Sequence, residues 1–227
     1  MKEFIIPYTG KLFPYYLGMG QNLKQKYEFD DVVFSCSSLG IFVAIIMMSD
    51  IESTDVLADL IMYSKSSKLN WKTIMYRMCD KYITEDVYKQ VKKRLLCKGS
   101  KLNKFLLPES VFVSNWDSRQ DFIDCVVALS FMPFMFSNDA YIDYKDDRLL
   151  DGTFSNCTDT PVTGLEVVNF PYIEWKNLKD FMTTLDEKTV NELYAEGLTK
   201  NIRLALKPKQ IQMSEISEMD LNYDLQE

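Results

Sequence analysis

A five-residue stretch, Cys36-Ser37-Ser38-Leu39-Gly40, carries the pattern in this chain best suited to chemistry. A hydroxyl at the tip of a strand-to-helix turn projects from the sheet edge, and the residues two before and two after it must be small for the backbone to turn so sharply. Gly40 fills the second of those positions for Ser38, which makes Ser38 rather than Ser37 the candidate nucleophile, with Cys36 at the first position. The same turn places Ser38 at a helix N-terminus. There the unpaired N–H groups, beginning with that of Leu39, and the positive end of the helix dipole favour a developing oxyanion. A serine in front of an apolar helix is also the ordinary N-cap, so the pattern alone leaves both readings open.

Composition removes many alternatives. The 227 residues contain no histidine, which excludes a Ser-His-Asp triad, a Cys-His dyad, an H-E-x-x-H zinc site and a histidine-bearing deaminase centre. Five cysteines, Cys36, Cys79, Cys97, Cys125 and Cys157, are odd in number and form no C-x-x-C, so neither a disulfide framework nor a zinc ribbon is expected. Asp139, Asp143, Asp146 and Asp147 crowd one stretch without EF-hand spacing, which reads as a solvated loop; no metal and no cofactor are expected. With 26 basic against 33 acidic residues the net charge is -7, and nucleic acid is not an expected partner.

The elements that must position Ser38 follow from periodicity. Residues 3–8 read as a first strand, 12–26 as a helix, and Val32-Val33-Phe34 as a buried strand leading through the serine turn into an apolar helix over 41–48. Ser53-Thr54-Asp55 caps a helix to Tyr63, with further helices over 71–78 and 84–94. Phe112-Val113-Ser114 is a strand, and Ser118 caps a helix containing Phe122, Val126 and Leu129 that Pro133 ends. Leu165 to Val168 form a later strand, and 185–206 are mostly helical. The alternation predicts an α/β fold with a largely parallel sheet. It occupies one domain over 1–210, followed by an acidic, flexible tail at 211–227.

A second constellation, Arg148-Leu149-Leu150-Asp151-Gly152-Thr153-Phe154-Ser155-Asn156 followed by Thr160-Pro161-Val162, points to a family. Strand, glycine turn, helix, serine elbow and a distant Asp-Gly with a following Asn and Pro-Val resemble the patatin-like phospholipases. The stretches Val111-Phe112-Val113-Ser114-Asn115-Trp116 and Ser118-Arg119-Gln120-Asp121-Phe122 are similar to the adiponutrin and adipose-triglyceride-lipase branch. The likeness runs over roughly residues 3–206. It implies a three-layer α/β/α sandwich and a Ser-Asp dyad without histidine, with Ser38 as nucleophile and Asp151 as its partner. The oxyanion loop of the family corresponds to Tyr8-Thr9-Gly10-Lys11-Leu12-Phe13, so Gly10, Lys11 and Leu39 would supply the oxyanion N–H groups. Phe13 and Cys36 stand where family members carry glycine.

The implied activity is hydrolysis of phospholipid or acylglycerol esters through an acyl-serine intermediate. Transacylation would use the same residues, and a catalytically impaired lipid- or protein-binding module is the alternative. Met47, Met48, Met75, Met78, Met132 and Met135 read as core residues, some of which could line an acyl channel. Lys89, Lys92, Lys93, Arg94, Lys98, Lys101 and Lys104 have no acid between them and read as a local basic patch that could touch anionic lipid. The uncharged run over 32–48 is interrupted by Ser35-Cys36-Ser37-Ser38, and the first residues lack a signal-peptide pattern. These features predict an intracellular protein, cytoplasmic or peripheral on a membrane or lipid-droplet surface, with no signal peptide and no transmembrane span.

Overall fold

The computed structural model describes residues 1–65, 70–133, 139–155, 157, 160–170 and 186–209. Seven strands form one sheet: β1 (Lys2–Ile6), β2 (Val32–Ser37), β3 (Leu95–Leu102), β4 (Pro108–Val113), β5 (Ile142–Tyr144), β6 (Asp147–Leu150) and β7 (Glu166–Asn169). Among the described residues the helices are α1 (Phe13–Lys26), α2 (Gly40–Met48), α3 (Ser53–Ser64), α4 (Trp71–Tyr82), α5 (Glu85–Val91), α6 (Arg119–Leu129) and α7 (Glu187–Thr199). Strands β7, β1, β2 and β3 lie side by side in parallel, and β4, β6 and β5 extend them antiparallel.

Successive strand residues face opposite sides of a sheet. Glu3, Phe4, Ile5 and Ile6 are all buried, as are Phe34, Ser35, Cys36 and Ser37, so both faces of the parallel centre are covered. This is the layering of a three-layer α/β/α sandwich, and the expected fold class holds. The two faces differ in chemistry. Phe4, Ile6, Phe34, Cys36 and Cys97 join the apolar core, where Phe4 meets Phe29, Phe34 and Phe170 edge-on. The opposite face carries Glu3, Ser35, Ser37, Lys98 and Ser100, every one of them fully buried.

Strand β3 is the element that periodicity misses. The basic run was expected to be a patch with a helix through Arg94; instead α5 ends at Val91 and the run continues as β3. An eight-residue strand is about 23 Å long, so Lys92, Lys93 and Arg94 lie before one end of it and Lys104 beyond the other. Lys98 is wholly buried and donates to the Thr160 carbonyl at 2.6 Å. Gly99 fits because a Cβ there would stand 2.1 Å from Leu129 Cδ2, which brings α6 directly over β3.

Other boundaries shift for local reasons. Gly10–Leu12 is a separate 3-10 turn before α1, entered through Gly10 at φ 48°. Glu52, not Ser53, occupies the cap position of α3, and Ser53 Oγ instead meets Tyr194 Oη at 2.7 Å. Helix α6 stops at Leu129, before Pro133, and Ser118 caps it through the Asp121 N–H as expected. The helix expected over 185–206 stops at Thr199, after which the chain is irregular and Pro208 forms an isolated bridge with Tyr27. The acidic stretch 211–227, Met135 and Asn156 lie outside the described residues.

Helices α1 and α7 cross backbone to backbone. A Cβ on Gly18 would lie 2.1 Å from the Tyr194 carbonyl oxygen, and one on Gly197 only 2.0 Å from that of Tyr15. In an open helix Gly→Ala gains stability because alanine is the better helix former. Here the sign reverses: Gly197→Ala is expected to cost about 1–3 kcal/mol, read as a lowered Tm in thermal denaturation followed by circular dichroism.

Candidate active site

Ser38 occupies a two-residue turn between β2, which ends at Ser37, and α2, which begins at Gly40. Its φ is 55°, a left-handed conformation that a non-glycine residue adopts at a cost and that recurs at functional turns. Two contacts hold it there. The first helical bond runs from Ile41 N–H to the Ser38 carbonyl at 3.0 Å, so the Leu39 and Gly40 N–H groups precede the helical ladder. A Cβ on Gly40 would stand 2.4 Å from the Pro7 carbonyl oxygen and 2.9 Å from Ile6 Cγ2, so only glycine lets the chain leaving β1 cross the start of α2.

Cys36 is not part of that turn. It lies inside β2, in register with Ile6 and Cys97 and fully buried, and burial pushes its thiol well above its ordinary range. Its side chain packs on the apolar face, two residues before Ser38, at the position where a small residue is expected. Gly40 keeps the role assigned to it. Phe13, which stands where the resemblance expects a glycine, turns into the core. Its ring meets Phe42 edge-on at 6.2 Å and lines a small cavity with Leu39, Leu60, Trp71, Met75 and Met78. That cavity, about 10 Å³, holds no more than one water. Met75 and Met78 thus do line apolar space beside the Ser38 turn, but the space is small.

Asp151 reaches Ser38 through the register of β3. Strand β4 covers one edge of β3 from Cys97 to Leu102, leaving the other edge to be shared. Strand β2 runs up that edge until Ser37 stands opposite Lys98, and β6 runs down it until Leu150 stands opposite Ser100. The two chains therefore meet head to head opposite Gly99. The residues that follow each strand, Ser38 and Asp151, are thereby brought side by side, with the Ser38 hydroxyl close enough to the carboxylate to favour its charged form. A Cβ on Gly152 would come within 2.4 Å of Ser37 Oγ and 3.1 Å of Cys157 Sγ, so the Asp-Gly pair is a packing requirement of the junction.

The carboxylate is almost fully buried and anchored on several sides. Asp151 N–H donates to the Phe131 carbonyl at 3.0 Å, its own carbonyl accepts from Ser100 Oγ at 2.8 Å, and Oδ1 accepts from Thr153 N–H and Thr153 Oγ1, each at 3.0 Å. Burial raises the Asp151 carboxyl above its ordinary value of 3.8, and the Ser38 hydroxyl and the bonds from Thr153 restrain the rise. An aspartate with raised affinity for protons is the better general base.

Reading the sequence missed the residues that hold this loop. Glu3, fully buried on β1, accepts from Ser35 Oγ, from Val162 N–H at 2.9 Å, and from Thr163 N–H and Oγ1 at 2.9 and 2.7 Å. Burial alone would push its carboxyl up; the hydrogen bonds from Ser35, Thr163 and Val162 more than reverse this and hold it below the ordinary range. With Lys98 on the Thr160 carbonyl, two buried charges clamp residues 160–163 over the polar face. A charged residue at the second position of an otherwise apolar strand, Lys2-Glu3-Phe4-Ile5-Ile6, was the available signal. Gly10 and Lys11 sit in the 3-10 turn that follows the Pro7 crossing; Leu39 is at the elbow itself. Among the described residues no cluster of His, Cys, Asp or Glu could hold a metal ion, and no helix is long and apolar enough to cross a membrane.

No protein-family model matches this chain, and no curated protein matches it. The arrangement itself supplies a test. A carboxyl whose folded-state affinity for protons is raised contributes stability below its unfolded value of 3.8, and this is lost as pH rises through the folded value. Asp151→Asn is therefore expected to raise Tm at neutral pH by about 2–4 °C. The gain should disappear in melts recorded below the unfolded carboxyl value.

Proposed function

We propose that the protein is a serine acyl hydrolase of the patatin-like kind, acting on phospholipid or acylglycerol esters. The observation that carries this reading is the juxtaposition of a strained elbow serine, Ser38, with a buried aspartate of raised proton affinity, Asp151. Such a pair contains a nucleophile and a base, and a helix N-terminus beside it offers N–H groups to a developing negative charge. The lipid substrate class rests on the family resemblance of the sequence and on the apolar lining beside the elbow.

In this mechanism Ser38 Oγ attacks the ester carbonyl carbon while Asp151 takes the hydroxyl proton. The oxyanion is held by the Leu39 N–H together with the loop at Gly10 and Lys11. Collapse of the tetrahedral species breaks the ester C–O bond, and Asp151 returns the proton to the departing alcohol. Water then adds to the acyl-Ser38 carbonyl, giving its proton to Asp151, and the fatty acid leaves as the proton returns to Ser38 Oγ.

The specific observation in favour of a binding module instead is closure: Ser38 is only 5% exposed and the cavity next to Leu39 is about 10 Å³. Fluorophosphonate labelling separates the two. Covalent labelling of the wild type, absent in Ser38→Ala and reduced at least about 10²-fold in Asp151→Asn, is the expected outcome; an unlabelled wild type with the folded circular-dichroism spectrum would overturn the hydrolase reading. The pH profile carries the sign of the dyad. Activity should fall on the acid side as Asp151 protonates, with a midpoint above the ordinary carboxyl range. Thr153→Val, which removes a hydrogen bond to the carboxylate, should move that limb to higher pH in kcat/KM measurements on a soluble short-chain ester.

A further inference from the structure

The hairpin joining β3 to β4 ends in Lys104-Phe105-Leu106-Leu107, and its three apolar residues are 71%, 58% and 59% exposed. Such side chains normally leave a turn, where asparagine, glycine or aspartate cost less. Here the turn is built around them. Asn103 Oδ1 accepts from the Phe105 and Leu107 N–H groups at 2.9 and 3.0 Å, and Asn103 Nδ2 donates to Glu109 at 2.8 Å. Backbone bonds join Asn103 N–H to the Leu107 carbonyl and Leu106 N–H to the Asn103 carbonyl, at 3.0 and 2.9 Å. Leu106 has φ 60°, a conformation that favours glycine or asparagine. A rigid, strained turn that displays phenylalanine and two leucines to water is unfavourable unless something apolar covers them.

We propose that this hairpin tip inserts into the interfacial zone of a lipid bilayer carrying anionic headgroups. The tip is a narrow projection rather than a groove, the shape that enters a bilayer between headgroups. Its charge matches that partner: Lys104 holds its ammonium 5.0 Å from the Phe105 ring, placed to reach phosphate while the ring goes deeper. Lys101, one strand pair below, adds a second cation that is partly shared with Asp147 at 3.5 Å. The tip also stands at the same end of the sheet as the dyad. Strand β3 continues past the end of β2 for the four residues Gly99 to Leu102, so the turn begins roughly 10 Å beyond the point where Ser38 and Asp151 meet. Between them Phe154 is exposed on the 3-10 turn whose Ser155 is bonded to Ser100 and Ser110 of the same hairpin.

This inference deepens the lipid-ester reading and rests on it for the choice of partner. The full chain would be floated with vesicles of phosphatidylcholine alone and of phosphatidylcholine with phosphatidylserine, beside the Phe105→Ser/Leu107→Ser double variant and Lys104→Gln. The wild type is expected to bind both compositions, more tightly with phosphatidylserine. The double variant should lose at least about tenfold in apparent affinity, and Lys104→Gln should lose the preference for phosphatidylserine. Labelling of Ser38 by the soluble fluorophosphonate should stay unchanged in all three. Equal binding by the double variant, or no wild-type binding to either vesicle, overturns the proposal. So does light scattering that shows the double substitution dissolving an oligomer while vesicle binding persists. Tip-dependent flotation of a chain that never labels at Ser38 would retain the membrane surface and remove the hydrolase.

Discussion

Everything at the candidate site depends on one edge of one strand being shared by two others. Strand β4 occupies the far edge of β3 over its whole upper half, so β2 and β6 must divide the near edge between them, one parallel and one antiparallel. Two chains running toward each other on a single edge have to stop and turn away where they meet. The elbow at Ser38 and the Asp-Gly turn at Asp151 are those two departures. Their proximity is thus a consequence of sheet register, enforced by backbone hydrogen bonds, rather than of side-chain packing that could relax. Gly99 at the junction admits Leu129 on one face, and Gly152 admits the Ser37 side chain on the other.

The two sheet faces divide the work of stability and chemistry. The apolar face gathers the aromatic and aliphatic core around Phe4, Phe34 and Cys36. The opposite face holds a row of buried polar groups that would be costly if unpaired, and the loop over residues 160–163 satisfies Glu3 and Lys98. Two buried carboxylates on this side are tuned in opposite directions. Glu3 collects enough donors to favour its charged form, and its contribution to stability is present above the ordinary carboxyl range and lost on acidification. Asp151 has fewer donors for its burial and is driven toward its neutral form. A structural clamp and a base are thereby made from the same functional group.

The α/β class and the serine elbow were legible because they rest on local signals. Val32-Val33-Phe34 followed by a small-residue turn and an unbroken apolar helix can be read without knowing any neighbour. Gly40 could be assigned because the elbow demands a small residue there. Strand β3 was not legible: Lys98, Gly99, Ser100 and Lys101 interrupt every strand pattern, and each is explained only by a partner far away, Thr160, Leu129, Asp151 or Asp147. Thr153 and Glu3 were missed because one is an unremarkable hydroxyl and the other acquires its role only when residues 162 and 163 fold onto β1.

The order in which the chain is made bears on the contact between α1 and α7. Strand β1 and helix α1 are made well before their partners: β7, which covers the outer edge of β1, and α7, which closes on α1 at Gly18 and Gly197, are synthesised roughly 160 residues later. At about 5–20 residues per second that interval is roughly 10–30 s. Throughout it, β1 has an open edge and α1 an uncovered glycine face, so the nascent chain carries an unpaired strand beside exposed apolar surface. Completion of the β1 edge and of the α1 glycine face therefore waits on β7 and α7.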